Sequence, residues 1–267
     1  MQAYGAKRIV CLTEETTEAL YLMGEQDRIV GISGFTVRPE IARKEKPRVS
    51  AFTSAKIDKI LALKPDLVLA FSDMQADIAA QLVCAGLQVH VFNQRSVEEI
   101  LQMLHTLGAL IGQPEKAAQL VDEYQENMAK AVDKASSLSK RPVVYFEEWD
   151  DPLISGIKWV SELVEIAGGK DCFPELSKEA GGKQRIIDPP QRVIKRQPDI
   201  IIGSWCGKKF RSEHVAQREG WKAIPAVKNN QLFEIKSVNI LQPGPAALTD
   251  GLAELQQIIS RWVAQYG

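Results

Sequence analysis

The chain has 267 residues, 45% of them hydrophobic and 25% charged, with a formal net charge of -1 and an isoelectric point near 6.4. That length buries one large or two modest cores. The balanced charge excludes a global basic field for nucleic acid, and no run approaches the roughly 18 apolar residues of a membrane span. The opening segment, Met1 to Lys7, is short and polar and lacks the apolar stretch of a secretory leader. It implies a cytosolic chain if Met1 is the native start, and a removed leader otherwise.

Taken in order, Arg8–Leu12 (RIVCL) reads as a short buried strand, and Thr16–Met23 as a helix stopped by Gly24. Arg28–Ile32 is a second strand. Ile57–Leu63 is helical until Lys64-Pro65-Asp66 breaks it, and Leu67–Ala70 follows as an apolar strand. Ala76–Ala85 is a helix closed by Gly86, Leu87–Phe92 a strand and Val97–Ile111 a helix. Short apolar strands alternating with helices indicate βα units on a parallel sheet.

Pro114–Leu138 contains no Gly and no internal Pro. Its apolar residues, from Ala117 through Tyr124 to Ala135, recur at three- and four-residue steps. About 24 helical residues span roughly 36 Å, which suits a strut between two lobes. The βα pattern then resumes: strand Pro142–Phe146, helix Trp159–Ala167 stopped by Gly168-Gly169, helix Pro189–Arg196 and strand Ile200–Ile202. Two short helical pieces (Ser212–Gln217 and Gly220–Ile224), strand Gln231–Ile235 and a terminal helix Ala246–Tyr266 complete the chain. The expected division is an N-terminal α/β lobe over 1–112, a linking helix over 113–139 and a C-terminal α/β lobe over 140–267.

An internal repeat supports two lobes. Ile57–Ala70 reads IDKILALKPDLVLA, and Gln191–Gly203 reads QRVIKRQPDIIIG. Each is an amphipathic helix, then Pro-Asp, then an apolar strand. The Pro stops the helix and the Asp supports the turn.

Catalytic motifs are not apparent: there is no GxSxG, P-loop or GxGxxG. Cys11, Cys84, Cys172 and Cys206 are far apart and form no CxxC pair, so neither a zinc site nor any other metal site is expected. Cys11 and Cys84 lie in apolar segments and read as buried small residues; a disulfide between distant cysteines stays open. His90, His105 and His214 are isolated. Glu147, Glu148, Asp150 and Asp151 could do acid–base work or hold a hard cation, with a solvated loop or helix capping as the plainer reading.

Aromatic residues close the predicted strands more suggestively: Phe52, Phe71, Trp149 and Trp205. Open parallel sheets bind ligands beyond the carboxyl ends of their strands. Phe71 and Trp205 follow the two repeated strands and are expected at equivalent places, facing one another across a cleft that holds a bulky, partly apolar ligand.

Together, RIVCL…TEALYLMG…DRIVGIS, KIDKILALKPDLVLA, WVSELVEIAGG and VIKRQPDIIIGS resemble the substrate-binding proteins of vitamin B12 and iron-siderophore uptake. This is the class in which one helix joins two lobes, and the likeness covers almost the whole chain. It implies an α/β fold of two parallel-sheet lobes and a binding protein, not an enzyme. The FEEWD run before WVSELVEIAGG is similar to the cobalamin-binding branch. The implied ligand is therefore a corrinoid, cobalamin, with a ferric siderophore or haem as the alternative and no catalytic cofactor. By the same resemblance Phe35, Phe52, Phe71, Trp149, Trp159, Trp205 and Gly244 lie near the ligand, with Arg185 as a further polar candidate and a surface arginine as its plainer reading. Family members dock to an ABC permease through one acidic residue on each lobe, for which Asp77 and Glu213 are the candidates. A monomer outside the cytoplasm is the family's expectation; the polar N-terminus would instead suit a cytosolic corrinoid carrier.

Overall fold

A computed structural model describes residues 5–267; the first four residues of the polar N-terminal segment lie outside the described residues. Two compact units emerge. The first comprises the described residues up to Gln94 together with Glu98–Tyr124, and the second comprises Arg95–Val97 and Gln125–Gly267.

The first unit runs β1 (Ile9–Cys11), α1 (Glu14–Leu22), β2 (Ile29–Ser33), α2 (Ala42–Glu45), β3 (Arg48–Ser50), α3 (Ile57–Ala62), β4 (Leu67–Phe71), α4 (Ala76–Cys84), β5 (Val89–Phe92) and α5 (Val97–Leu110). Its strands order as β3-β2-β1-β4-β5, all parallel. Strand β1 and β4 are wholly buried, as strands covered by helices on both faces must be. The sequence pattern misses β3, because three residues with an exposed Arg48 carry no periodicity. Helix α6 (Pro114–Ser136) is continuous, and the division between units falls within it.

The second unit contains β6 (Val143–Asp150), β7 (Leu153–Ser155), α7 (Lys158–Ile166), β8 (Lys170–Asp171), α8 (Gln191–Arg196), β9 (Ile200–Gly203), α9 (Ser212–Ala216), α10 (Pro225–Lys228), β10 (Leu232–Glu234), α11 (Ser237–Ile240) and α12 (Leu252–Tyr266). Strands order as β10-β9-β6-β7, with β8 also on β6. The β6, β8, β9 and β10 pairings are parallel, but β7 is antiparallel. The chain outlasts the predicted strand end at Phe146, turns at Asp151-Pro152 and returns as a hairpin. The terminal helix also departs from expectation. It opens as a π-helical turn over Ala247–Gly251, where Thr249 Oγ1 donates to the Pro245 carbonyl oxygen at 3.0 Å.

The helix–Pro-Asp–strand repeat is real in three dimensions. Lys64 (φ 48°) and Gln197 (φ 49°), each just before the proline, both adopt the left-handed conformation that ends a helix. The aspartates do more than support the turn. Asp66 Oδ2 and Oδ1 accept from the backbone N–H of Lys7 and Arg8, both at 2.9 Å, and Asp199 Oδ2 accepts from the N–H of Val143 at 2.9 Å. In each unit the carboxylate therefore fastens the start of the neighbouring strand, β1 or β6.

Of the two cysteines read as buried, Cys11 is buried but Cys84 is exposed, on the outer face of the last turn of α4; Cys172 is buried and Cys206 exposed. None of the four forms a disulfide, and burial pushes the Cys11 and Cys172 thiols up to about 12. None of the described helices is long and apolar enough to cross a membrane.

Removing the Asp199 carboxylate leaves the amide of Val143 without its acceptor. Asp199→Ala should lower the stability of the second unit by about 1–3 kcal/mol, read as a lower urea midpoint, whereas Asp199→Asn should recover part of the loss.

Candidate ligand-binding site

In a parallel sheet every strand ends on one edge, so the residues after the strands collect there. In the first unit that edge is built by the segments following Cys11, Ser33, Ser50, Phe71 and Phe92. Buried Gln75 ties three of them together. Its Oε1 accepts from the Phe71 N–H at 2.9 Å, and its Nε2 donates to the carbonyl oxygens of Phe52 at 2.8 Å and Leu12 at 3.4 Å. Nothing in the sequence marked Gln75, since its role depends on three strand ends that meet only in the fold. Phe71 is buried as the last residue of β4, and Phe52 is half-buried in the loop after β3. Phe35 is 63% exposed after β2, and Met74, absent from the predicted set, is 54% exposed after β4.

The loop carrying Phe35 is held by carboxylates of α1. Glu14 Oε2 accepts from the Val37 N–H at 2.5 Å, and Glu18 pairs with Arg38 at 2.8 Å. Glu14 and Glu15 are both buried, and Thr13 Oγ1 donates to Glu15 at 2.6 Å. Burial, chiefly, pushes both carboxyls up to about 7; the negative charge of Glu18 pushes the same way.

In the second unit β6 supplies the centre. Strand alternation sends Tyr145 and Glu147 to one face and Glu148 to the other. Glu147 is 0% exposed and accepts four hydrogen bonds. They come from Tyr145 Oη at 3.0 Å, Trp205 Nε1 at 3.1 Å, and Arg218 Nη1 and Nη2 at 2.5 and 2.9 Å. A buried carboxylate persists only when paired and hydrogen-bonded, and here its partners also set the plane of the Trp205 ring. Trp205 is buried and packs edge-on to Phe210 at 5.0 Å. Gly203 is required beneath them, because a Cβ there would lie 1.9 Å from the Phe210 ring.

The acidic run is thus neither a solvated loop nor a helix cap. Glu148 forms a bidentate pair with Arg185 at 2.6 and 2.9 Å, and Asp150 pairs with Lys208 at 2.5 Å. With Glu147 held by Arg218, three carboxylates of the run face protein cations. Arg185 is buried, not a surface residue, and also donates to the Ser155 carbonyl oxygen. Trp149, near the end of β6, is half-buried, with the Lys208 ammonium 4.5 Å from its ring centroid.

Trp159 is buried in the first turn of α7, where its indole N–H donates to the Ile240 carbonyl oxygen at 2.9 Å. Gly244 is buried in the turn before the π-helical segment, and its N–H donates to the Gln242 carbonyl oxygen at 2.8 Å. Phe71 and Trp205 are not strictly equivalent: Phe71 is the fifth residue after Asp66, and Trp205 the sixth after Asp199. Phe71 thus ends its strand, whereas Trp205 lies in the loop beyond it. Asp77 and Glu213 are both exposed in the first turns of α4 and α9.

A family model described as periplasmic binding protein matches residues 9–238. The chain belongs to the periplasmic binding protein family. It is 28% identical over 263 residues to an ABC transporter substrate-binding lipoprotein of Bacillus subtilis, covering 95% of this chain and 80% of that one. It is 27% identical over 251 residues to a vitamin B12-binding protein of Vibrio parahaemolyticus, covering 91% and 86%. Among solved structures, a protein of Staphylococcus epidermidis described as a possible iron-binding (periplasmic solute-binding) protein superposes with a TM-score of 0.83 at 24% identity, covering 96% of this chain and 99% of that one. The periplasmic vitamin B12 binding protein of Vibrio cholerae superposes with a TM-score of 0.76 at 22% identity, covering 98% and 99%. The two-unit α/β architecture is that of this family, and its members bind substrates.

The buried acids of this family member carry a pH signature. Glu14 and Glu15 have folded values near 7 against an ordinary 4.5, so between these limits the folded protein holds more protons than the unfolded chain. Their favourable contribution is complete below about pH 4.5 and is lost as pH rises through 7. Thermal unfolding followed from pH 5 to 8 should show this fall, and Glu15→Gln should flatten it.

Proposed function

We propose that this protein captures a corrinoid, cobalamin or a close relative, at the carboxyl-end edges of its sheets, for delivery to an ABC permease. The observation that carries the reading is half-buried Trp149 at the end of β6, with buried Trp205 beside the same Lys208 ammonium and fixed by Glu147. Exposed Phe35 and half-buried Phe52 offer similar surface in the first unit. Broad rings beside a few fixed polar groups suit a large, partly apolar macrocycle with a polar rim. Relatives named vitamin B12-binding protein, at 27–29% identity, support the same class of ligand. Binding without turnover is the consistent activity, because Glu147, Glu148 and Asp150 are engaged by Arg218, Arg185 and Lys208 and are not presented to a substrate.

Titration with cyanocobalamin should quench tryptophan fluorescence and yield a saturating calorimetric isotherm. Trp205→Ala should weaken binding by about tenfold or more, as loss of a buried aromatic anchor does. A folded protein that gives no heat with corrinoids but takes up haem or a ferric siderophore, seen in its absorption spectrum, would move the assignment to that ligand.

Permease docking would use Asp77 and Glu213, exposed acids that begin the helices after β4 and β9. Charge reversal at both, Asp77→Lys with Glu213→Lys, should leave cobalamin affinity within about twofold, as expected for exposed side chains that make no part of the aromatic surface. The same variant should abolish stimulation of the cognate permease's ATPase activity; undiminished stimulation would reject these two residues.

A further inference from the structure

The loop after β9 reads Trp205-Cys206-Gly207-Lys208-Lys209-Phe210-Arg211, with three cations within four residues. Its shape is set locally: Gly207 takes a left-handed φ of 79°, the Phe210 N–H donates to Glu234 Oε1 at 3.0 Å, and the Phe210 ring seats against Gly203. This geometry carries the Lys208 ammonium to 4.5 Å from the Trp149 ring centroid and 5.1 Å from that of Trp205. The same ammonium lies 2.5 Å from Asp150 Oδ1, with the lysine side chain 41% exposed. A cation is thus held against the two rings that form the proposed ligand surface, with one half-buried carboxylate as its counter-ion.

We infer that Lys208 selects a ligand bearing an anionic group. The inference rests on the corrinoid reading, and it names the part of a corrinoid that this unit recognises: the phosphodiester of the nucleotide loop, not the amide rim of the ring. An ammonium has three donors and the Lys208 side chain is 41% exposed, so it can meet a ligand oxygen while keeping Asp150. An ammonium donating to a phosphate oxygen gains a charge-assisted hydrogen bond. Adjacent Lys209 and Arg211, both exposed, add positive field at the same edge. The two tryptophans restrict where the ammonium can go, so less side-chain freedom is lost when the ligand arrives. Asp150 keeps the ligand-free cation from being left uncompensated against the rings.

The test compares two corrinoids that share the ring: cobalamin, which carries the phosphodiester, and dicyanocobinamide, which lacks it. The readout is the ratio of their dissociation constants by calorimetry for the full chain. Lys208→Met keeps an apolar stem beside the rings and removes the charge; it should reduce the preference for cobalamin about tenfold, as loss of a charged hydrogen bond does. Lys208→Arg should restore most of the preference, and rising salt should erode it in the wild type more than in Lys208→Met. An unchanged ratio in Lys208→Met, including an equal loss for both corrinoids, would show that Lys208 only props the rings and would overturn the inference while leaving corrinoid binding intact. A folded wild type that binds neither compound would overturn the corrinoid reading and this inference with it.

Discussion

The carboxylates of Asp66 and Asp199 accept backbone N–H groups from the first residues of the neighbouring strands, and the geometry of each sheet follows from that contact. A parallel pair has no hairpin to set its register, so some other group must do so. Here the residue that follows the helix-stopping proline also pins the adjacent strand, β1 to β4 and β6 to β9. With the starts aligned, the ends align as well. Thr13, Phe71, Trp149 and Trp205 therefore come from positions far apart in sequence to the carboxyl edges of their own sheets.

The two edges are finished differently. In the first unit a neutral amide, Gln75, gathers the strand ends, and buried carboxylates of α1 hold the Phe35 loop. In the second unit a buried ion pair, Glu147 with Arg218, orients the tryptophan and tyrosine side chains. A buried pair of this kind is poor as a source of stability, because desolvation offsets the attraction. Its value is positional: four donors on one carboxylate leave the Trp205 indole a single orientation. A side chain immobilised beforehand loses no freedom when a ligand arrives.

The departures around β6 and β7 have one origin. Residues 147–151 read as an acidic run, with a solvated loop as its plainer reading, because four carboxylates interrupt the apolar alternation. The alternation is nevertheless present, with Glu147 inward and satisfied by Arg218 and Glu148 opposite and satisfied by Arg185. Charge alone indicates solvent exposure; charge paired across 71 or 37 residues indicates a strand. The antiparallel β7 and the buried Arg185 were hidden by the same long-range pairing.

By itself, the amino-acid order determined the succession of βα units, the long helix from Pro114, the doubled Pro-Asp turn and the aromatic residues at strand ends. These are readable because hydrophobic periodicity and turn chemistry act over a few residues. Only the tertiary structure decided which of those aromatics are buried and which exposed, that Phe71 and Trp205 differ by one position at their strand ends, and that Gln75, Arg218 and Lys208 complete the edges. Their roles depend on partners brought together by folding, at separations where sequence spacing carries no information. The aromatic strand ends that suggested a binding protein remain its main feature, now with a fixed tryptophan and a lysine held beside it.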